Sequence, residues 1–268
     1  MLRRPVRENL ESESVRPAGG SRDKLAPVAT EAPVLTPLLT AREPALISDG
    51  GGLPFAPRAP YAPFAPLDPS TPPVGALIHQ IDFGRKQANK GGRFRRSRRP
   101  PQIATEEKLA GWRALAATED EVLYAKGRPP QLLTVNVTRA HRDKWLVIGV
   151  SNSRPLRASR QGIRASSWRL DPDFEVTPDQ SEIHLLVTEQ TQATGVLAAD
   201  RMLAPDLYMG DDELILRLYV KALEGYTGRT RRYETAVTVK LPEPVGERAL
   251  VDGAVYEPPG ARPEAASE

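Results

Sequence analysis

The sequence predicts a mainly β protein. It reads as an antiparallel β-sandwich or jelly-roll-like C-terminal domain, preceded by a short helix and a long disordered Pro-rich and Arg-rich N-terminal arm. Three observations predict this. From Gln131 onward apolar residues recur with a period of two, the spacing of strands. Fourteen of the 27 prolines lie within residues 1–73, where each removes a backbone donor. Residues 84–104 carry eight basic side chains and no acidic one. The chain therefore divides into a disordered Pro-rich arm (1–83), an Arg-rich basic segment (84–104), a helical connector (105–126), an antiparallel β domain (127–257) and a disordered tail (258–268).

The arm is read as disordered because residues 1–73 hold few aromatics, Phe55, Tyr61 and Phe64. It buries too little apolar surface to offset the entropy of ordering. Polyproline II character is expected over 53–73. There Ala-Pro plus a large apolar residue repeats every three residues: Ala59-Pro60-Tyr61, Ala62-Pro63-Phe64, Ala65-Pro66-Leu67. Three residues make one polyproline II turn, so Tyr61, Phe64 and Leu67 are expected to line one edge. Such an edge suits an aromatic-lined groove on a partner or host protein; the plainer reading is a stiff spacer. The hexapeptide Tyr61–Pro66 is loosely similar to the Pro-Ser/Thr-Ala-Pro late-domain motif of viral matrix proteins, with Phe64 where that motif has Ser or Thr.

In the basic segment, Arg85, Lys86, Lys90, Arg93, Arg95, Arg96, Arg98 and Arg99 supply the charge, with Phe94 among them. Gly91, Gly92, Pro100 and Pro101 make an extended or disordered chain the expectation. Arginine forks match phosphate geometry, and an interleaved aromatic can stack on a base. The charge is localised: residues 1–83 carry 8 basic and 9 acidic groups (−1), 84–104 carry +8, and 105–268 carry 21 basic and 25 acidic groups (−4), which sums to +3. Solvation, an import signal or an anionic-membrane contact are the competing readings.

The connector begins at Thr105, an N-cap candidate, with Glu106 and Glu107 in the first turn, where the helix dipole favours acids. Leu109, Trp112 and Ala116 then fall at helical spacing. Thr118–Glu121 reads as a capping box for a second short helix. The strands follow. Leu133, Val135 and Val137 alternate with polar residues. Trp145–Val150 is continuously apolar, as for a strand buried on both faces. Ile183–Val187, Leu214–Val220 and Tyr233–Val239 alternate again. Val251-Asp-Gly-Ala254 signals a two-residue hairpin. This gives roughly seven strands at the spacing of a sandwich.

Several function classes are excluded or disfavoured. With no cysteine there is no disulfide, thiolate metal site or cysteine nucleophile. His79, His141 and His184 show no metal-ligand spacing. Asp171/Asp173 and Asp211/Asp212 fit turn chemistry better than a calcium site. No catalytic motif, cofactor site or metal site is expected. Glu8, Glu11 and Glu13 follow the first arginines where a secretory leader would be apolar, and no run is long enough for a membrane span. A soluble, non-secreted protein is expected.

The order of parts is similar to the general plan of RNA-virus coat proteins, in which a flexible basic arm precedes a jelly-roll shell. The expectation is a non-enzymatic structural or interaction protein of coat, movement or matrix type. It would bind single-stranded nucleic acid, RNA first, through 85–99, with a β domain that self-associates or docks a partner. The alternative is a β-sandwich adaptor of a bacterial assembly, with a proline tether and a basic patch for anionic membrane or an acidic partner. The loop arginines Arg154, Arg157, Arg160, Arg164 and Arg169 could extend a phosphate track, or be an ordinary solvated loop.

Overall fold

A computed structural model describes residues 31–90, 104–152, 154–190, 195–225 and 233–257. In chain order the elements are β1 (Val34–Leu35), β2 (Leu38–Leu39), β3 (Leu46–Ser48), α1 (Pro72–Lys90), α2 (Thr105–Leu109), β4 (Trp112–Ala117), β5 (Glu121–Lys126), β6 (Leu133–Arg139), β7 (Trp145–Asn152), β8 (Arg157–Arg160), β9 (Ile163–Leu170), β10 (Glu182–Thr188), β11 (Asp206–Met209), β12 (Glu213–Tyr219), β13 (Glu234–Lys240) and β14 (Ala249–Asp252). The protein is mainly β, with one curled sheet and a second, smaller one.

The curled sheet runs β1-β13-β10-β9-β12-β11-β2. Its period-two strands put Ile183, Leu185, Val187, Leu214, Leu216, Leu218, Val237 and Val239 into one core. Each such side chain contributes about 1.5–3 kcal/mol by leaving water. β1 and β2 are separated only by Thr36 and Pro37, yet they stand at opposite ends of the strand order. β1 pairs in parallel with β13 (Val34 with Thr238), and β2 in parallel with β11 (Leu38 with Asp206). One short segment thus occupies both sheet edges, and the sheet curls until the two meet on it. Unpaired edges invite aggregation, and this segment covers them.

The second sheet is the antiparallel meander β4-β5-β6-β7. Helix α1 packs on one face through Val74 and Leu77, against Val135, Val137, Trp145 and Val147, with Leu109 and Trp112 in the same cluster. Ile47, Phe55, Leu132 and Leu156 pack with Leu123 and Ala125 in a second cluster. Thr134 and Asn136, the polar half of the β6 alternation, are therefore buried as well. Thr134 Oγ1 donates to the buried Asp49 carboxylate, and Asn136 Nδ2 donates to Glu121 Oε1 at 2.7 Å. Gly52 passes so close to Asn136 that a Cβ there would lie 2.6 Å from Asn136 Cγ.

Several expectations are corrected. The disordered arm over 1–83 does not hold for residues 31–83, which supply β1–β3 and most of α1. β1, β2 and β3 are ordered by pairing with β13, β11 and β8, more than a hundred residues away in the chain, and α1 by packing on β6 and β7. Residues 1–30 and the tail 258–268 lie outside the described residues. The basic segment is helical over 84–90. The 105–126 connector is one helical turn followed by a hairpin. At the proposed capping box, Thr118 N donates to Glu121 O at 2.8 Å and closes that hairpin. Trp145–Val150 is not buried on both faces: Leu146, Ile148 and Val150 are 52%, 60% and 47% exposed on an outer strand. Val251–Ala254 forms no hairpin, because β14 pairs in parallel with β12, and Val255 then bridges to Arg157.

Candidate nucleic-acid interface

The basic segment starts on the last turns of α1. This helix follows Thr71, whose carbonyl accepts Gly75 N at 3.0 Å, and it opens on Pro72 and Pro73. Proline suits a first helical turn because its missing N–H has no partner there. Val74, Leu77, Ile78 and Ile81 then repeat at spacings of three and four and bury one stripe. Arg85 and Lys86 follow on the same helix, which ends at Lys90. Lys86 and the preceding Phe83 are exposed, and Arg85 is half-buried. Residues 91–103 connect α1 to α2 and lie outside the described residues, with Arg93, Phe94, Arg95, Arg96, Arg98 and Arg99 among them. Lys108 Nζ on α2 meets Asp82 Oδ2 on α1 at 2.8 Å. Both ends of the basic segment are therefore held beside each other on the second sheet's helical face.

The strip of Tyr61, Phe64 and Leu67 does not form one edge. Tyr61 closes a single 3-10 turn over Ala59–Tyr61. Phe64 is exposed beneath the Arg113 guanidinium, 5.5 Å from ring centroid to carbon. Leu67 turns inward onto the α1 cluster. The reason is Arg113, itself buried. Its Nη2 donates to Pro60 O at 2.8 Å and to Gly127 O, which ties the proline tract to the β5–β6 turn and breaks the polyproline repeat.

Tyr61 instead faces a cleft of about 590 Å³ that the sequence did not disclose. Its floor is the outer face of β12, Ile215 and Arg217, with Asp252 at the end of β14 and Gly253 after it. Its walls are Pro44, Pro57, Tyr61 and Tyr256, with Arg42 and Arg58 also lining it. Arg217 is buried and donates to Ala41 O and Arg42 O, which fastens residues 41–42 over the strand. Burial lowers its affinity for its proton. Gly253 is required here, since a Cβ would stand 2.5 Å from Ile215 Cγ2 and 2.9 Å from Arg217 Cγ. Tyr256 OH donates to Glu43 Oε1 at 3.2 Å. Its phenol is pushed up to about 12, first by burial and then by the Glu43 charge. Tyr61 is also raised by burial, with the Arg128 charge opposing.

Asp252 joins three strands. Its Oδ1 accepts Ala254 N at 2.9 Å and its Oδ2 accepts Trp168 N at 3.4 Å, while Trp168 Nε1 donates to Leu216 O at 3.0 Å. Burial raises its carboxyl above 3.8 despite those two N–H groups. A carboxyl raised on folding binds more protons folded than unfolded, so stability falls as pH rises from about 4 through the raised value. Asp252→Asn is expected to flatten that part of the stability curve. Urea unfolding at a series of pH values checks this; an unchanged slope would contradict it.

Three of the five loop arginines, Arg157, Arg160 and Arg169, are engaged within the β region. Arg157 Nη1 donates to Ala165 O at 3.2 Å and Ser167 Oγ at 3.0 Å, Arg160 is paired with Asp206, and Arg169 forks onto Glu234 at 2.9 and 2.7 Å. Asp171 accepts Asp173 N at 3.1 Å, a turn contact. His184 stacks on Phe174 at 3.9 Å. Among the described residues no group of three or more His, Asp and Glu side chains is placed to hold a metal ion, and no helix is long and apolar enough to cross a membrane. The missed signals were the 74-77-78-81 stripe of α1, legible in the sequence, and Phe83 beside the basic run. The cleft had no local signal. No protein-family model, curated protein or solved structure matches the chain.

Proposed function

We propose that this chain is a non-enzymatic binding protein that takes single-stranded nucleic acid, RNA first, on residues 85–99. Its β region, of β-sandwich or jelly-roll type, serves as the self-associating or partner-docking body of a coat, movement or matrix assembly. One observation carries the reading. Residues 84–104 hold +8 while the rest of the chain holds −5, from −1 and −4. The helices that flank the segment are joined by the Lys108–Asp82 pair at 2.8 Å, which supports a single attachment region for it on the body. Binding releases counterions from the strand, with a slope of about 0.7 per phosphate neutralised.

A second reading places the same segment on an anionic membrane or an acidic partner, in an adaptor of a bacterial assembly. The exposed Phe83 beside Arg85 and Lys86 favours it, since an aromatic next to cations also suits a headgroup layer. Filter binding to single-stranded RNA against flotation with phosphatidylserine vesicles, across one salt series, separates the two. Retention of RNA without flotation is the expected result. Flotation without RNA retention would overturn the first reading in favour of the second.

A further inference from the structure

We propose that the cleft between Tyr61 and Tyr256 is a second nucleic-acid subsite, taking one unstacked base while Arg58 and Arg42 hold the flanking phosphate at its mouth. This rests on the reading that the chain binds a single strand, and it adds where a base of that strand goes.

The cleft has the size of a small-molecule site, whose usual range is about 300–1,000 Å³. Its walls are two tyrosine rings and two prolines, surfaces that take a flat π system. Its formal charges balance: Arg42, Arg58 and Arg217 against Glu43, Asp252 and Glu257. A polyanion gains little inside such a cleft, but a neutral base does. Carbonyl edges of a base accept from guanidinium, and exocyclic amino groups donate to carboxylate. The charge at the mouth differs. Arg58 is 91% exposed and reaches Glu43 only at 3.9 Å, so its fork faces solvent. Arg42 is 63% exposed and is paired with Glu213 at 2.8 Å. Arg128 is exposed and close enough for its charge to act on the Tyr61 phenol. Alternating arginines and aromatic rings, with Arg113 on Phe64 next along the chain, make the platform that single-strand binders use. A polyproline peptide would also lie on tyrosines and prolines, but it brings no anion to the solvent-facing Arg58 fork.

The probe is a single-stranded RNA of about 12 nucleotides, within the usual site size, carrying 2-aminopurine at its centre. Stacking quenches that base. Full-length protein is expected to quench it at ~50 mM salt, where phosphate contacts are strong. Tyr61→Ala with Tyr256→Ala is expected to weaken binding about ten-fold and abolish quenching. Arg58→Glu, at a side chain too exposed to affect folding, is expected to weaken binding several-fold on its own. Replacing Arg93, Arg95, Arg96, Arg98 and Arg99 with alanine weakens binding but leaves the residual complex quenched. Quenching and affinity unchanged in both cleft variants would overturn the subsite and leave the arm reading standing. No RNA binding by the unaltered protein would overturn both. Saturable binding of a proline-rich peptide that needs both tyrosines, without quenching by the RNA, would assign the cleft to a peptide and overturn the proposal.

Discussion

Replacing Glu189 with alanine is expected to destabilise the protein by about 3–5 kcal/mol, the usual cost of breaking a buried ion pair by removing one partner. Glu189 follows β10 directly, and its carboxylate accepts Arg201 Nη1 at 2.7 Å and Nη2 at 2.9 Å. The two side chains are 5% and 12% exposed, so water does not replace the lost partner. Arg201 also donates to Lys221 O at 2.7 Å, and its own carbonyl accepts Lys221 N at 2.9 Å. The pair therefore joins the ends of β10 and β12. The double variant Glu189→Leu, Arg201→Met is expected to come back close to the parent, because it leaves no buried charge. Urea unfolding of the three proteins checks this. A loss below about 1 kcal/mol for the single variant would mean the pair behaves like a surface bridge.

Asp206→Ala is expected to cost a similar amount, about 3–5 kcal/mol. Asp206 Oδ1 accepts Arg160 Nη1 at 2.7 Å, and Oδ2 accepts Tyr219 OH at 2.8 Å. Tyr219 is buried, and its phenol is pushed far up, by burial first and then by the Asp206 charge. The Arg160 guanidinium lies 4.6 Å over the Tyr219 ring. Alanine would strand the buried Tyr219 hydroxyl and leave the Arg160 guanidinium only its bond to Ala204 O at 2.6 Å. Asp206 also opens β11 and pairs with Leu38, so the loss should reach the segment that closes the curled sheet. Asp206→Asn keeps one acceptor and should cost less. Thermal unfolding, with hydrogen exchange at Leu38 and Thr40, reads both effects. Asn and Ala variants of equal stability would contradict the assigned roles.

The strands of the curled sheet were legible because their period-two pattern coincides with burial. Leu214, Leu216 and Leu218 face the core, while Ile215, Arg217 and Tyr219 face the other way. The pattern failed where order comes from distant partners. Nothing near Val34 or Leu38 reveals that Thr238 and Asp206 will pair with them. Proline counting read this stretch as disordered, although Pro33 needs only its carbonyl, which accepts Thr238 N at 3.0 Å. Leu109 and Trp112 show helical spacing and do share one cluster, but a chain reversal at Gly111, with φ +77°, puts the tryptophan on a strand. The period of three was real in space and wrong in element. The basic segment could be read from charge alone, whereas the cleft needed β12, β14 and residues 42–61 brought together.

Residues 85–99 are proposed to hold a single strand by its phosphates. Fluorescence anisotropy of the full-length protein with labelled single-stranded RNA, from ~50 to ~200 mM salt, tests it most directly. With Arg93, Arg95, Arg96, Arg98 and Arg99 replaced by alanine, the slope of log affinity on log salt is expected to shrink by about 3.5, at roughly 0.7 per phosphate contact. Across that range the unaltered protein would lose about a hundred-fold more affinity than the variant. The same slope and affinity in both proteins would contradict the account.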